Sequence, residues 1–397
     1  MIAGRAHLTY CTNVHPGESW AEVKANLERH TTRVKARLAP ERPFGLGLRL
    51  SARALEQLAR PEAFADLRAV LERHGLYVFT LNGFPYGTFH AVPVKEEVYR
   101  PDWLEEERLA YSDRLAELLA RLLPDGVDGS VSTVPGAYKP RAAGAEAEAD
   151  IADRLLRHAA RLVRLRRETG RTVGLALEPE PCCLIETVAE AVSFFERRLY
   201  GDAAVERLAG LCGLPRGEAR EALRRHLGVC LDACHAAVEF EDPADAVGAL
   251  RRAGVPILKV QLSAGLRVFP PDQVRREALR AFADPVYLHQ VVARTSDGLV
   301  RHADLPEALA AATPAEEWRV HFHVPLFRER LGAFASTRDF LSALLALHAR
   351  EPISSHLEVE TYTWDVLPEE FRREDVAQAV AREIEWVLPQ LGGSPPP

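Results

Sequence analysis

A chain of 397 residues, 47% hydrophobic and 27% charged, has the composition of an ordinary globular protein and can bury a large core, as one barrel or as two domains. Fifty basic against 57 acidic side chains give a net charge of −7, which speaks against a general nucleic-acid binder. No basic segment followed by an apolar one opens the chain, and no apolar run approaches the roughly 18 residues of a membrane span. The expectation is therefore a cytoplasmic protein with no transmembrane helix. Its six cysteines lack metal-finger spacing and read as reduced packing residues.

From Leu8 to Thr361 short apolar runs alternate with longer segments of helical period, a βα repeat pattern. Strands are expected at Leu8–Val14, Phe44–Leu50, Leu76–Asn82 and Gly129–Val134, with Ser19 and Ser51 as N-caps of the helices after the first two. A long helix over Glu146–Thr169 precedes a strand at Thr172–Glu178, which Pro179 stops. Helices near Val188–Leu199 and Arg216–His226 lead to the strand opening at Gly228 and ending in Asp232, with His235 three residues on. Ile257–Ser263 and His356–Thr361 complete eight strands, the number that closes a (β/α)8 barrel. Trp318–Val324 is a ninth strand-like run, so 264–325 is read as an inserted cap over the barrel mouth and His321 as part of its returning strand. The domain reading is one barrel over 1–390 with a disordered tail at 391–397.

Strand alternation places every second side chain inside a barrel. One face then carries Glu178, with Glu180 just beyond; another carries Cys230 and Asp232. A third carries Lys259, Gln261 and Ser263, and the last His356, Glu358 and Glu360. Carboxylates buried from three strands require compensation. A divalent ion held by Glu178, Asp232, Gln261 and Glu360 supplies it, and oxygen donors suit Mn2+ or Mg2+, with Zn2+ as an alternative. A salt-bridge cluster built on Lys259 and nearby arginines is the competing account. The loop Asn82–His90 and His15 lie at the mouth. Phe84, Tyr86, Phe89 and Trp103 suggest a pocket for a ring or an apolar chain, although loop aromatics also serve as packing. Arg49 could hold an anion or pair with a carboxylate.

The run Gly228–His235 resembles the Asp-Thr-Cys-His strand of endonuclease IV, and Val359-Glu360-Thr361 resembles that family's last metal-binding strand. Leu177-Glu178-Pro179, Asp232-x-x-His235 and Lys259-Val260-Gln261 are also similar to hydroxypyruvate isomerase and related sugar isomerases and epimerases, in the xylose-isomerase-like barrel superfamily. The strings Leu8–Glu18, Asn82–Gly87, Tyr287–Val292 and His356–Trp364 resemble the bacterial EboE family of metabolite traffic proteins. That likeness implies a role in a secondary-metabolite gene cluster, a small-molecule metabolite as ligand and other proteins of the cluster as partners. The isomerase likeness implies metal ligands Glu178, Asp232, Gln261 and Glu360. It further implies that Glu178 and Glu360 exchange a proton beside a carbonyl while the metal holds the enediolate charge, and that His235 holds a substrate oxygen. Lys259 stands where a histidine is usual, against an endonuclease-type multimetal site. His321-x-His323 falls where that family has Asp-x-His, which leaves a second site open. Lys259, His321, His323, Asn82, Arg49, His15, Phe84 and Tyr86 join His235 as candidate substrate contacts. A metal-dependent hydrolase and a non-catalytic carrier of a metabolite are the alternative functions.

Overall fold

The short apolar runs are buried on both sides, which is why they read as near-continuous Val/Leu/Ile rather than as alternation. The computed structural model describes residues 1–392 apart from Ala91, Ala312 and Arg373. Eight strands form the barrel: β1 (Ala6–Tyr10), β2 (Phe44–Arg49), β3 (Leu76–Asn82), β4 (Gly129–Thr133), β5 (Val173–Leu177), β6 (Leu227–Asp232), β7 (Ile257–Leu262) and β8 (His356–Val359). They pair in parallel from β2 through β8 to β1, and the short strand Ile2–Ala3 adds antiparallel to β1. The seam between β1 and β2 is closed by a Cys11–Gly47 bridge and by Thr9, whose Oγ1 donates to the Gly45 carbonyl (2.7 Å) and accepts from Gly47 N (3.2 Å). The chain is thus a closed (β/α)8 barrel. Among the described residues no helix is long and apolar enough to cross a membrane.

Helices fill the crossovers, and their caps follow the expected chemistry. Ser19 and Thr187 each close a capping box, with Glu22 and Glu190 respectively. A helix at Glu106–Leu122, which sequence periodicity did not single out, fills the crossover between β3 and β4.

The insertion is more ordered and longer than its composition suggests. It forms a six-stranded antiparallel sheet, ordered Gly298–His302, Val291–Thr295, Glu317–Val320, Leu266–Val268, Phe334–Ser336, Arg330–Leu331. It therefore runs to Ser336, beyond the expected boundary at 325. Its strands are only two to five residues long, too short for a periodic signal. The strand containing Trp318 ends at Val320, and His321 and His323 leave the sheet toward the barrel. At the C-terminus Leu391 is buried in a 3-10 turn, so the expected tail does not start there, and 393–397 lie outside the described residues.

Inside the barrel the floor is polar. Lys259 Nζ sits 2.5 Å from Glu358 Oε2, both fully buried, while Ser130 Oγ meets His356 Nδ1 at 2.8 Å and Thr80 Oγ1 at the same distance. Gly47 in β2 leaves room for this layer. A Cβ there would lie 1.8 Å from Glu358 Oε1 and 2.9 Å from the Tyr10 carbonyl oxygen. Neither can yield, since one is backbone and the other is held by Lys259. Gly47→Ala is expected to destabilise by about 3 kcal/mol, the upper range of overpacking, in urea denaturation, with Gly87→Ala, where the added methyl meets open space, as the neutral control.

Candidate metal and substrate site

β5, β6 and β8 each end where a carboxylate follows or closes the strand, and strand ends face the mouth of a parallel barrel. Carboxylate oxygens of Glu178, Asp232 and Glu360 lie within 4.8 Å of one another, all buried. Glu178 Oε2 and Asp232 Oδ2 have no hydrogen-bond partner. Asp232 Oδ1 caps the helix that follows, accepting from His235 N (2.9 Å) and from Ser263 Oγ (2.7 Å). Glu360 Oε1 accepts from Asn82 Nδ2 (3.0 Å) and from Asn13 Nδ2 (2.7 Å). Asn82 thus positions a carboxylate rather than lining the cavity, its own oxygen being taken by Phe84 N at 2.9 Å. Gln261, the fourth expected ligand, turns Oε1 to Cys230 Sγ at 3.0 Å and leaves Nε2 without a partner. A half-turn of the amide exchanges those two atoms.

Electrostatics set the carboxylates apart. Burial, then the charges of Glu360 and Asp232, push Glu178 well above the usual carboxyl range. Burial, then Asp232 and Glu358, do the same to Glu360. Burial also opposes charge on Asp232, but His235, His323, the His235 amide and Ser263 outweigh it and hold its carboxyl below the ordinary value. Without a cation the burial and mutual repulsion of Glu178 and Glu360 oppose their ionisation, and the unpartnered Glu178 and Asp232 oxygens fit a divalent ion that would offset it.

A second group of donors adjoins the first. His235 Nδ1 donates to the Pro179 carbonyl (3.0 Å) and its Nε2 faces His321 Nε2 at 3.0 Å. His323 Nδ1 donates to the Glu360 carbonyl (2.8 Å), and its Nε2 has no partner. Burial lowers both cap histidines: His321 falls well below its usual value and His323 to about 4.

The cavity above the carboxylates measures about 50 Å3 and is walled by Phe84, Phe89, Tyr99, Tyr287, Leu288 and Tyr362, with His235, His321 and Glu180. Phe84 stacks on Tyr99 (5.7 Å between centroids), and Tyr99 donates to Glu180 Oε1 at 2.7 Å.

Several expected contacts lie elsewhere. Lys259 is spent on Glu358, a layer below the carboxylates. Arg49 is 3% exposed and is consumed by Glu18 Oε1 (2.9 Å) and by the carbonyls of Gly17, Pro85 and Gly87, stitching loops together. His15 is turned to Tyr10 OH (3.1 Å) and stacks on His30. Tyr86 packs on Tyr111, and Trp103 is fully buried with Nε1 donating to Thr133. Conversely Asn13, Tyr99, Tyr287, Gln290 and Tyr362 were not singled out. The sequence pattern places Asn13 within a strand, whereas the chain breaks into a 3-10 turn at Thr12–Val14 that aims it at Glu360.

Further up, Glu383 on the helix Val376–Val387 accepts from Thr361 Oγ1 (2.7 Å) and Leu326 N (3.1 Å), joining barrel, cap and C-terminus. Burial pushes its carboxyl up to about 7. The native state thus holds this proton more tightly than the unfolded chain, so its contribution is full below about pH 4.5 and is lost as pH rises through 7. Relative to Glu383→Gln, the unaltered protein is expected to lose about 2–3 kcal/mol between pH 5 and pH 8, read by urea denaturation at each pH.

No protein-family model matches the sequence, and no curated protein does. Solved structures match in fold. A xylose isomerase-like TIM barrel protein from Mycobacterium smegmatis, in complex with magnesium, superposes with a TM-score of 0.53 at 13% identity, covering 98% of each chain. A D-tagatose 3-epimerase-like protein does so with a TM-score of 0.50 at 12% identity, covering 97% of this chain and 98% of the other. The fold is that of the xylose-isomerase-like barrels.

Proposed function

We propose that the chain is a metal-dependent isomerase or epimerase-like enzyme acting on a hydroxy-carbonyl metabolite, in a secondary-metabolite pathway of the kind the EboE resemblance implies. The observation that carries the reading is the meeting of Glu178, Asp232 and Glu360 from three separate strands within 4.8 Å, with unpartnered oxygens on the first two. These three would hold one divalent ion, with Gln261 as a fourth donor once its amide turns. Mn2+ and Mg2+ suit such oxygens best, and the magnesium-bound neighbour of the same fold is in keeping with that choice. The ion would supply electrophilic polarisation of a carbonyl and its neighbouring hydroxyl.

The chain's own groups do the rest. Glu178 and Glu360 approach from different strands, so each can take or return a proton on its own side of a substrate carbon. Asn13 and Asn82 fix the Glu360 oxygen that is not left to the substrate. The aromatic wall would shield the exchange from bulk solvent, and among the described residues neither lysine nor arginine lines the cavity. His235 is within reach of a substrate oxygen from the same wall.

The test is proton exchange. Metal-loaded protein incubated in deuterated buffer with a panel of ketoses and hydroxy-ketones is expected to label the carbon beside the carbonyl. Glu178→Gln and Glu360→Gln should each slow labelling by about 10^2–10^4-fold, the usual worth of a positioned acid–base group. If no compound is labelled, and a metabolite that co-purifies is lost on Phe84→Ala but retained by Glu178→Gln, the carrier reading replaces this one.

A further inference from the structure

Polar groups lining the cavity are short of free hydrogens. Tyr99 spends its hydroxyl proton on Glu180 Oε1 and in turn accepts from Gln290 Nε2, both at 2.7 Å. Tyr287 spends its own on His90. Burial lowers His90 to about 4, so its ring is neutral, and its Nε2 lies 2.7 Å from the Asn13 carbonyl oxygen, an acceptor only. Nε2 therefore carries the hydrogen, and Nδ1 accepts from Tyr287 OH at 3.1 Å. Asn13 turns Nδ2 to Glu360 Oε1 at 2.7 Å, which fixes the amide and leaves Oδ1 buried without a partner. A ligand must bring the donors.

Glu180 is the carboxylate that the cluster of Glu178, Asp232 and Glu360 leaves over. It lines the same cavity and is 5% exposed. Among the described residues no lysine or arginine pairs with it; the imidazoles of His235 and His321 lie beside it, within 4.8 Å, and burial holds His321 well below its usual value. Burial also opposes charge on Glu180 itself, a cost that a cationic partner offsets. The nearby basic side chains do not supply one. Arg49 stands 4.8 Å from the Phe89 centroid, but its guanidinium is spent on Glu18 and loop carbonyls. Lys95 is held by Asp304 and by the carbonyls of Asp284 and Tyr287. A phosphate or carboxylate on the ligand would meet like charge without a counter-charge.

We propose that the hydroxy-carbonyl substrate of this site carries a protonated amine, which pairs with Glu180 against the aromatic wall. An ammonium brings three donors and no acceptor, whereas a hydroxyl brings one donor and two acceptors, so the amine matches a lining that offers acceptors. The wall suits the same group. Phe84 stacks on Tyr99, while Tyr287 contacts Tyr362 edge-on at 5.2 Å and Phe89 at 6.1 Å between centroids. Ring faces attract a desolvated cation within about 6 Å. The inference rests on the isomerase reading for the remainder of the substrate and adds its class: amino sugars and amino ketones rather than sugar phosphates or acids.

The test compares three probes that differ at one carbon: 1-amino-1-deoxy-D-fructose, D-fructose and D-fructose 1-phosphate. Each is titrated calorimetrically into the full-length protein in excess Mn2+ at neutral pH, where the amine is protonated. The amine is expected to bind about 10–100-fold more tightly than fructose, the range of a charge-assisted hydrogen bond, and the phosphate more weakly than either. Glu180→Gln, which keeps the shape and removes the charge, is expected to erase the preference for the amine. Fructose or its phosphate binding as tightly as the amine overturns the proposal without recourse to a variant, as does an amine that fails to bind at millimolar concentration. So does a preference that survives Glu180→Gln. Deuterium labelling reports separately on the isomerase reading: an amine that binds through Glu180 but is never labelled fails that reading and upholds this one.

Discussion

Lys259→Met is expected to lower stability by about 3–5 kcal/mol, the typical effect of stranding one member of a buried ion pair. Lys259 and Glu358 are both fully buried and 2.5 Å apart, and Lys259 also donates to Ser132 Oγ at 3.3 Å. Removing the ammonium leaves a fully buried carboxylate near Asp232, with Gly47 backbone on one side. The double variant Lys259→Met/Glu358→Leu is expected to recover most of the loss, because an apolar pair of similar volume replaces a pair whose attraction barely offsets its desolvation. Urea denaturation of the three proteins reads the cycle. A single variant as stable as the parent would mean that Lys259 is not the counter-charge of Glu358. This also separates Lys259 from the substrate contacts expected of it: its partner lies in the barrel floor.

Glu178→Gln is expected to act in opposite directions on the metal-free and metal-loaded protein. In the metal-free form burial, then the charges of Glu360 and Asp232, push Glu178 well above the usual carboxyl range, so its ionisation costs more in the fold than in the unfolded chain. The amide carries no such cost, so the metal-free variant should be more stable than the parent at pH 7. In the parent, an ion at about 100 times its Kd adds about 2.7 kcal/mol, and the variant should gain little of this. Thermal melts with chelator and with 1 mM Mn2+, roughly the millimolar range in which such hard-cation sites are probed, are expected to cross: variant higher without metal, parent higher with it. Melts that move in parallel would show that Glu178 does not belong to an ion site.

The strand tips carried the legible part of this molecule. A β-strand that ends in Asp232 or runs into Glu178 or Glu360 announces an inward carboxylate through alternation alone, and the parallel barrel then brings such tips together. What alternation does not register is depth. Lys259 and Gln261 share a face, but Lys259 lies two residues earlier on its strand and its ammonium is taken by Glu358 instead of reaching the mouth. Loop residues were the harder part. Arg49 and Tyr99 are both polar-tipped residues near the mouth, and only tertiary packing decides that the first is spent on Glu18 and loop carbonyls while the second faces Glu180. Tyr287 comes from the cap, whose short strands carry no period, and Asn13 from a turn hidden in an apolar run. The cap's long excursion was visible as an anomaly of length, yet its sheet was not.

One measurement bears most directly on the account: anomalous diffraction from crystals of this protein equilibrated with Mn2+. A peak about 2.0–2.3 Å from oxygens of Glu178, Asp232 and Glu360, absent from crystals of Asp232→Asn, is the predicted result. No manganese at those carboxylates, with their side chains turned apart or neutralised by protein cations, would contradict it.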